Sequence, residues 1–249
     1  MAAVKLDVAM RTDRGVMRES NEDAVGGDLE AGLLILADGM GGANAGEVAS
    51  ALAVDLLLNQ LAKREESTAV LQPEGLLDAL QGVNIAILDL AQRVPEYQGM
   101  GTTLVVGLFQ PGKLIYTHVG DSRLYRFRDG RLEAMTTDHT LIQELVRLKE
   151  FQSVQEAIAA GVPQNILSRA FGSGSEVEID LVETVCGPDD LFLFCSDGLT
   201  NMLSDEEIEA VLKTVDDSLQ TKVDGLIESA CEHGGMDNVS VILARVIEQ

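Results

Sequence analysis

Five apolar residues, Leu33-Leu34-Ile35-Leu36-Ala37, run without a break into Asp38 and then into Gly39-Met40-Gly41-Gly42. An unbroken apolar run of this length reads as a strand buried on both faces. The fold therefore has to cover such a strand from two sides. A carboxylate at the mouth of a buried strand is costly unless something offsets its charge.

The chain repeats the design once. Leu191-Phe192-Leu193-Phe194-Cys195-Ser196 also runs into an Asp-Gly pair, Asp197-Gly198. Three more acids stand beside strand-like runs: Glu22 before Ala24-Val25, Asp237 before Asn238-Val239-Ser240-Val241, and Asp121 after Ile115–Gly120. The ordinary meaning of Asp-Gly is a tight turn, and Asp129-Gly130, between two Arg-rich alternating runs, needs no other explanation. Asp38 and Asp197 differ because their strands are apolar on both faces. Clustered buried acids call for a compensating cation, and an all-carboxylate set points to Mg2+ or Mn2+ and away from zinc or copper. The three histidines, His118, His139 and His233, have no metal-ligand spacing. There is no Asp-x-Asp-x-Asp-Gly loop, which disfavours an EF-hand. Arg18 lies one turn before Glu22 and is a candidate for bidentate phosphate recognition beside the ions.

The remaining pattern is mixed. Val4–Met10 alternates as a half-buried strand, and Ala24–Gly27 is a short strand expected to pair with Gly32–Ala37. Two helices follow, Glu47–Leu61 and one opened by Pro73 and running to Leu90, joined by the charged connector Lys63–Thr68. Thr102–Phe109, Lys113–Val119, Arg123–Arg128 and Arg131–Met135 then form an antiparallel meander. A helix is expected over Asp138–Lys149, capped by Asp138. Strands follow at Val177–Val185 and Leu191–Cys195. Ser204-Asp205-Glu206-Glu207 is a capping box opening a helix through Leu212. A further helix carries Leu219, Val223, Leu226 and Ala230, and Val239–Val246 closes the chain as a strand. No repeat or linker divides it, so residues 1–249 are expected to form one domain, with a small insertion over about 150–175.

The formal net charge of −23 argues against nucleic acid and anionic membrane as partners. With 46% hydrophobic residues the chain can bury a substantial core. No secretory leader or apolar run near membrane-spanning length is visible, so a cytoplasmic location is expected. Cys186, Cys195 and Cys231 show no C-x-x-C spacing, and none has an arginine six positions later, which excludes the cysteine-nucleophile tyrosine phosphatase loop. Asp38-Gly39-Met40-Gly41-Gly42 opens a helix after a strand, but it lacks the G-x-G-x-x-G spacing of a dinucleotide site. The Asp-x-Asp nucleophile and the Gly-x-x-x-x-Gly-Lys loop are absent as well.

Taken in order, Arg18-x-x-Asn21-Glu22-Asp23, Asp38-Gly39-Met40-Gly41-Gly42, Gly101-Thr102-Thr103, Gly120-Asp121-Ser122-Arg123, Asp138-His139, Ser196-Asp197-Gly198-Leu199 and Asp237-Asn238 resemble the metal-dependent, type 2C protein serine/threonine phosphatases. The likeness runs through nearly the whole chain and is to the compact bacterial branch. It implies an α+β fold, a four-layer α-β-β-α sandwich of two antiparallel sheets flanked by helices. It implies one metal on Asp38, Asp197 and Asp237, a second on Glu22, Asp38 and the Gly39 carbonyl, and a weaker third on Asp121 with Asp197. Arg18 matches the phosphate-binding arginine, and residues 150–175 match a variable flap. The implied reaction is hydrolysis of phosphoserine and phosphothreonine in proteins. A water or hydroxide bridging two Mn2+ or Mg2+ ions would attack phosphorus in line, without a phosphoenzyme. The resemblance also implies an opposing Hanks-type serine/threonine kinase. Animal members place a histidine after Asp-Gly as proposed general acid; here that residue is Met40, so no side chain takes the role.

Overall fold

The computed structural model describes residues 4–42, 45–62, 73–214 and 218–248. In chain order the elements are β1 (Lys5–Asp13), β2 (Asp23–Asp28), β3 (Leu33–Met40), α1 (Ala45–Ala62), α2 (Pro73–Arg93), β4 (Gly101–Thr102), β5 (Leu104–Gln110), β6 (Lys113–Val119), β7 (Arg123–Arg128) and β8 (Arg131–Ala134). They continue with α3 (Leu141–Arg147), α4 (Val154–Ala159), β9 (Val182–Val185), β10 (Leu191–Cys195), α5 (Asp197–Thr200), α6 (Asp205–Leu212), α7 (Leu219–Glu232) and β11 (Val239–Glu248). A 3₁₀ turn at Pro95–Tyr97 was not legible in the sequence.

One sheet has the order β1-β11-β10-β7-β8, the other β2-β3-β5-β6-β9 with β4 appended to β3, and the pairings are antiparallel. The apolar run of β3 serves two layers. Leu33, Ile35 and Ala37 face α1 and α2, packing with Ala49, Ala53, Leu57, Leu80 and Ile87. Leu34 and Leu36 face the other sheet, where they meet Phe192, Phe194 and Ile242. In β10, Leu191, Leu193 and Cys195 pack instead on α6 and α7 through Ile208, Leu212, Val223 and Leu226. Phe109 meets Phe192 edge-on across the sheets at 5.4 Å. This is the expected four-layer sandwich, and both double-faced strands lie where their apolar pattern requires.

Several boundaries differ from expectation. The helix at 141–147 is capped by Thr140, whose side chain accepts from the Gln143 N–H. Asp138 is not the cap, because Arg123 grips both of its oxygens at 2.8 and 2.7 Å. The strand expected over Val177–Val185 is paired only from Val182, against β6. Val177, Ile179 and Leu181 pack instead on the core under α1 and α2, and Gln81 of α2 donates to the Val177 carbonyl. The run Thr102–Phe109 is broken, with Gly101–Thr102 pairing to the end of β3 and β5 starting at Leu104. Residues 150–175 contain the short helix α4, capped by Ser153. The capping box Ser204/Glu207 is present as read. Asp129 and Gly130 have φ of 52° and 73°, both left-handed, so this Asp-Gly is indeed a hairpin turn. The connector Lys63–Thr68 lies outside the described residues.

Candidate metal centre

Asp38 is fixed through its backbone. Its N–H donates to Thr103 Oγ1 at 3.1 Å, and its carbonyl accepts from the Thr103 N–H at 2.8 Å and the Thr102 hydroxyl at 2.9 Å. Thr103 is in turn 2.7 Å from the Ser122 hydroxyl, beside Asp121. These bonds give Gly101-Thr102-Thr103 and Gly120-Asp121-Ser122 a physical role: they clamp the end of β3. Burial holds the Asp38 carboxyl well above the usual carboxylate range, and the charges of Asp23, Asp197, Asp121 and Asp237 push it further.

Asp197 opens the single turn α5, so its strand ends in a helix where that of Asp38 continues two residues further. Its carboxyl is raised by burial and by Asp237, while its neighbour Asp38 and a hydrogen bond from Asn201 at 3.0 Å act in the opposite sense. Asp197 Oδ1 is buried and has no hydrogen-bond partner. An orphaned carboxylate oxygen among like charges is the condition a cation relieves. Asp121 is pushed up to about 7, first by burial and then by Asp197 and Asp138.

Glu22 comes from the opposite side. Its N–H donates to Asn238 Oδ1 at 2.8 Å, and its carbonyl accepts from the Gly39 N–H at 3.0 Å. The Glu22 carboxylate and the Gly39 carbonyl converge over α1: a Cβ placed on Gly46 would lie 2.8 Å from Glu22 Oε2 and 2.8 Å from Gly39 O. Only a glycine leaves both oxygens free there. Glu22 is raised by burial, and Arg18 lowers it, so the two residues share one locality as their spacing suggested. Asp237 uses both oxygens, taking the Arg18 guanidinium on Oδ2 at 2.6 Å and the Asn238 N–H on Oδ1 at 2.8 Å.

The structure thus gathers Arg18, Glu22, Asp38, Gly39, Asp121, Asp197 and Asp237 at one end of the two sheets. Among the described residues, no three His, Cys, Asp or Glu side chains already stand in the geometry of a metal site. Asp237 is turned towards Arg18, and Asp38 and Asp197 towards each other, so the donors are neighbours without sharing one point.

Asp23 and Asn238 stand in the sequence motifs, but sequence reasoning gave them no role in this arrangement. Asp23 pairs with Asp38 in register and is pushed up to about 7 by burial, although the Ser196 hydroxyl donates to its Oδ2 at 2.8 Å. Asn238 ties three segments together, also donating to the Arg14 and Ser20 carbonyls at 2.9 and 2.8 Å. The histidines are less scattered than their spacing suggests, since His118 and His139 stack with ring centroids 4.3 Å apart. Both bond to backbone, and burial lowers both, His139 to about 4. They serve as neutral structural rings.

The protein phosphatase 2C family model matches residues 16–226. The chain belongs to the protein phosphatase 2C family. It is therefore an enzyme of the protein phosphatase class, and the family expected from the motifs holds. The serine/threonine phosphatase stp of Listeria welshimeri is 40% identical over 242 residues, covering 94% of this chain and 93% of that protein. The serine/threonine protein phosphatase PstP of Mycobacterium tuberculosis is 40% identical over 98% of this chain, which spans 45% of that longer protein. The crystal structure of the Mycobacterium tuberculosis phosphatase superposes with a TM-score of 0.86 at 37% identity, covering 98% of this chain and 99% of that one. The PstP catalytic domain in complex with two manganese ions superposes at 0.83, with 37% identity and coverage of 98% and 99%. For this 2C phosphatase the two-sheet, helix-flanked architecture is accordingly that of its relatives. No described helix is long and apolar enough to cross a membrane.

Proposed function

We propose that this 2C phosphatase hydrolyses phosphoserine and phosphothreonine in proteins, by in-line attack of water on phosphorus and without a phosphoenzyme. Glu22, Asp38 and the Gly39 carbonyl would hold one Mn2+ or Mg2+. Asp38, Asp197 and Asp237 would hold another, and Asp121 with Asp197 a weaker third. When bound, the ions supply positive charge to the phosphoryl oxygens and lower the pKa of a water. The observation that carries the reading is the orphaned Asp197 Oδ1 among carboxyls that burial and mutual repulsion hold above their usual range.

The chain's own groups do the positioning. Thr102 and Thr103 hold the Asp38 backbone, and Gly46 leaves room for the Glu22 and Gly39 oxygens. Arg18, half-exposed on Asp237, would receive a phosphoryl group with its guanidinium fork. Met40 pairs with Gly101 and packs over it, so no titratable side chain occupies that position and none is assigned as general acid. Residues 150–175 are tied to the same end of the sheets by Ser168 N–H to the His139 carbonyl and by the Thr102–Phe171 bridge, which supports a flap beside the site. The core shared between the sheets supports one phosphatase domain over 1–249. Phosphorylated proteins are the partners this reading requires, with a Hanks-type kinase as the opposing activity and the cytoplasm as the compartment.

The test is hydrolysis of p-nitrophenyl phosphate and of phosphoserine and phosphothreonine peptides by the purified protein, with and without Mn2+. Turnover is expected only with the metal and is expected to fall at least about a thousandfold in Asp38→Asn. Full activity in excess EDTA or in Asp38→Asn would refute the mechanism. Failure to bind Mn2+ by calorimetry would favour a catalytically silent relative that acts by binding.

A further inference from the structure

Beside Arg18 the surface changes character. Val16 and Met17 are 59% and 63% exposed, and Met236, next to Asp237, is 58% exposed. Their loops are laced together: the Val16 and Met17 N–H groups both donate to the Gly235 carbonyl, at 2.9 and 3.1 Å. A Cβ on Gly235 would lie 2.7 Å from a Val16 methyl, and one on Gly234 would touch both Met202 Sδ and Met236 Cγ. Three of the larger exposed apolar side chains therefore stand on one scaffold, in a chain whose net charge is −23. Exposed apolar side chains grouped this way mark an interaction surface.

We propose that Val16, Met17 and Met236 form a docking patch for apolar side chains of the substrate within about two residues of its phosphorylated serine or threonine. The proposal rests on the phosphatase reading, which brings the phosphoryl group to Arg18. Continuity identifies the occupant. Met17 adjoins Arg18 in the chain, and Met236 adjoins Asp237, which holds Arg18 through an ion pair of 2.6 Å. An extended peptide advances only ~3.3–3.6 Å per residue, so a phosphoryl group at Arg18 leaves its immediate flanks over these side chains. Methionine is unbranched and polarisable and adapts to varied apolar partners, so the preference is for apolar flanks as a class.

The test uses two phosphoserine peptides of equal charge, one with Leu and Phe beside the phosphoserine and one with Ser and Gln there, with p-nitrophenyl phosphate as a third substrate. Wild-type protein in saturating Mn2+ is expected to show a KM about fivefold lower for the apolar peptide. The exposed double variant Met17→Ser/Met236→Ser is expected to lose that ratio while keeping p-nitrophenyl phosphate turnover. A wild-type ratio near one, or equal losses on both peptides, overturns the proposal. So does a change of oligomeric state in the variant with the ratio intact, which would assign the patch to a second copy of the chain. Absence of Mn2+-dependent turnover of all three substrates refutes the phosphatase reading itself.

Discussion

A single methyl group tests the ligand set that includes Glu22 and the Gly39 carbonyl. In Gly46→Ala the new Cβ would stand 2.8 Å from Glu22 Oε2, from the Gly39 carbonyl oxygen and from the Gly39 carbonyl carbon. Ordinary contact begins at 3.4 Å. The Glu22 oxygen belongs to a flexible side chain and can swing away, whereas the Gly39 carbonyl belongs to a strand paired on both sides, with Thr102 opposite it. The donors must retreat by about three times the ~0.2 Å tolerance of a metal–oxygen bond. The Mn2+ concentration for half-maximal activity is expected to rise at least about tenfold, and kcat/KM at moderate Mn2+ to fall by about a hundredfold. Gly82→Ala in α2 is the control, because its Cβ would meet nothing nearer than Gln60 Nε2 at 3.7 Å. In a helix interior it should gain ~0.5–1 kcal/mol and raise Tm by a few degrees with no change in metal titration. Both variants are read by p-nitrophenyl phosphate hydrolysis across a Mn2+ series, with thermal melting in parallel. If Gly46→Ala titrates and turns over like wild type, the Gly39 carbonyl and Glu22 do not hold an ion together.

Arg18→Ala removes a half-exposed guanidinium that already rests on Asp237, and is expected to raise KM for phosphopeptides about tenfold with a smaller change in kcat; an unchanged KM would remove Arg18 from the phosphate site. Asn238→Ala deprives the Glu22 N–H and the Arg14 and Ser20 carbonyls of their buried partner. It should cost ~2–4 kcal/mol, seen as a Tm lower by roughly 10 °C, and a wild-type Tm would contradict this bonding pattern. Asp121, pushed up to about 7 from an ordinary value of 3.8, contributes stability that is fully present below the lower value and is lost as pH rises through the higher one. Asp121→Asn should therefore gain on wild type as pH rises from 5 to 8 in EDTA, and a Tm difference independent of pH would contradict the raised value.

What could be read from the sequence was whatever depended on neighbours along the chain. Leu33–Ala37 and Leu191–Cys195 are fully or almost fully buried, as double-faced runs must be, and the capping box at Ser204 needs only residues within one turn. The acids at the ends of these strands were legible because a carboxylate there contradicts its surroundings. Misreadings arose where a distant partner outcompeted a local signal. Asp138 is a good cap by type, but the Arg123 guanidinium from a neighbouring strand takes both its oxygens. Val177, Ile179 and Leu181 alternate like a strand, yet their apolar faces are satisfied against the helix-covered core, and pairing starts only where β6 offers an edge. The supports of Asp38, Glu22 and Asp23 come from Thr103, Asn238 and Ser196, none of them near in sequence.

The same sandwich that makes the fold legible also sets the electrostatics of the site. Each sheet buries an apolar strand near its centre, and each such strand delivers an acid to the same end, Asp38 from one and Asp197 from the other. The core between the sheets excludes water up to that end, so the carboxylates repel through a medium that screens poorly. The consequence is visible in Asp38, which carries the repulsion of four other acids on top of its own burial. Apolar packing alone would be better served by removing these charges. Positive charge entering their arrangement would stabilise it, which on the proposed function ties cation affinity to how the two sheets are packed.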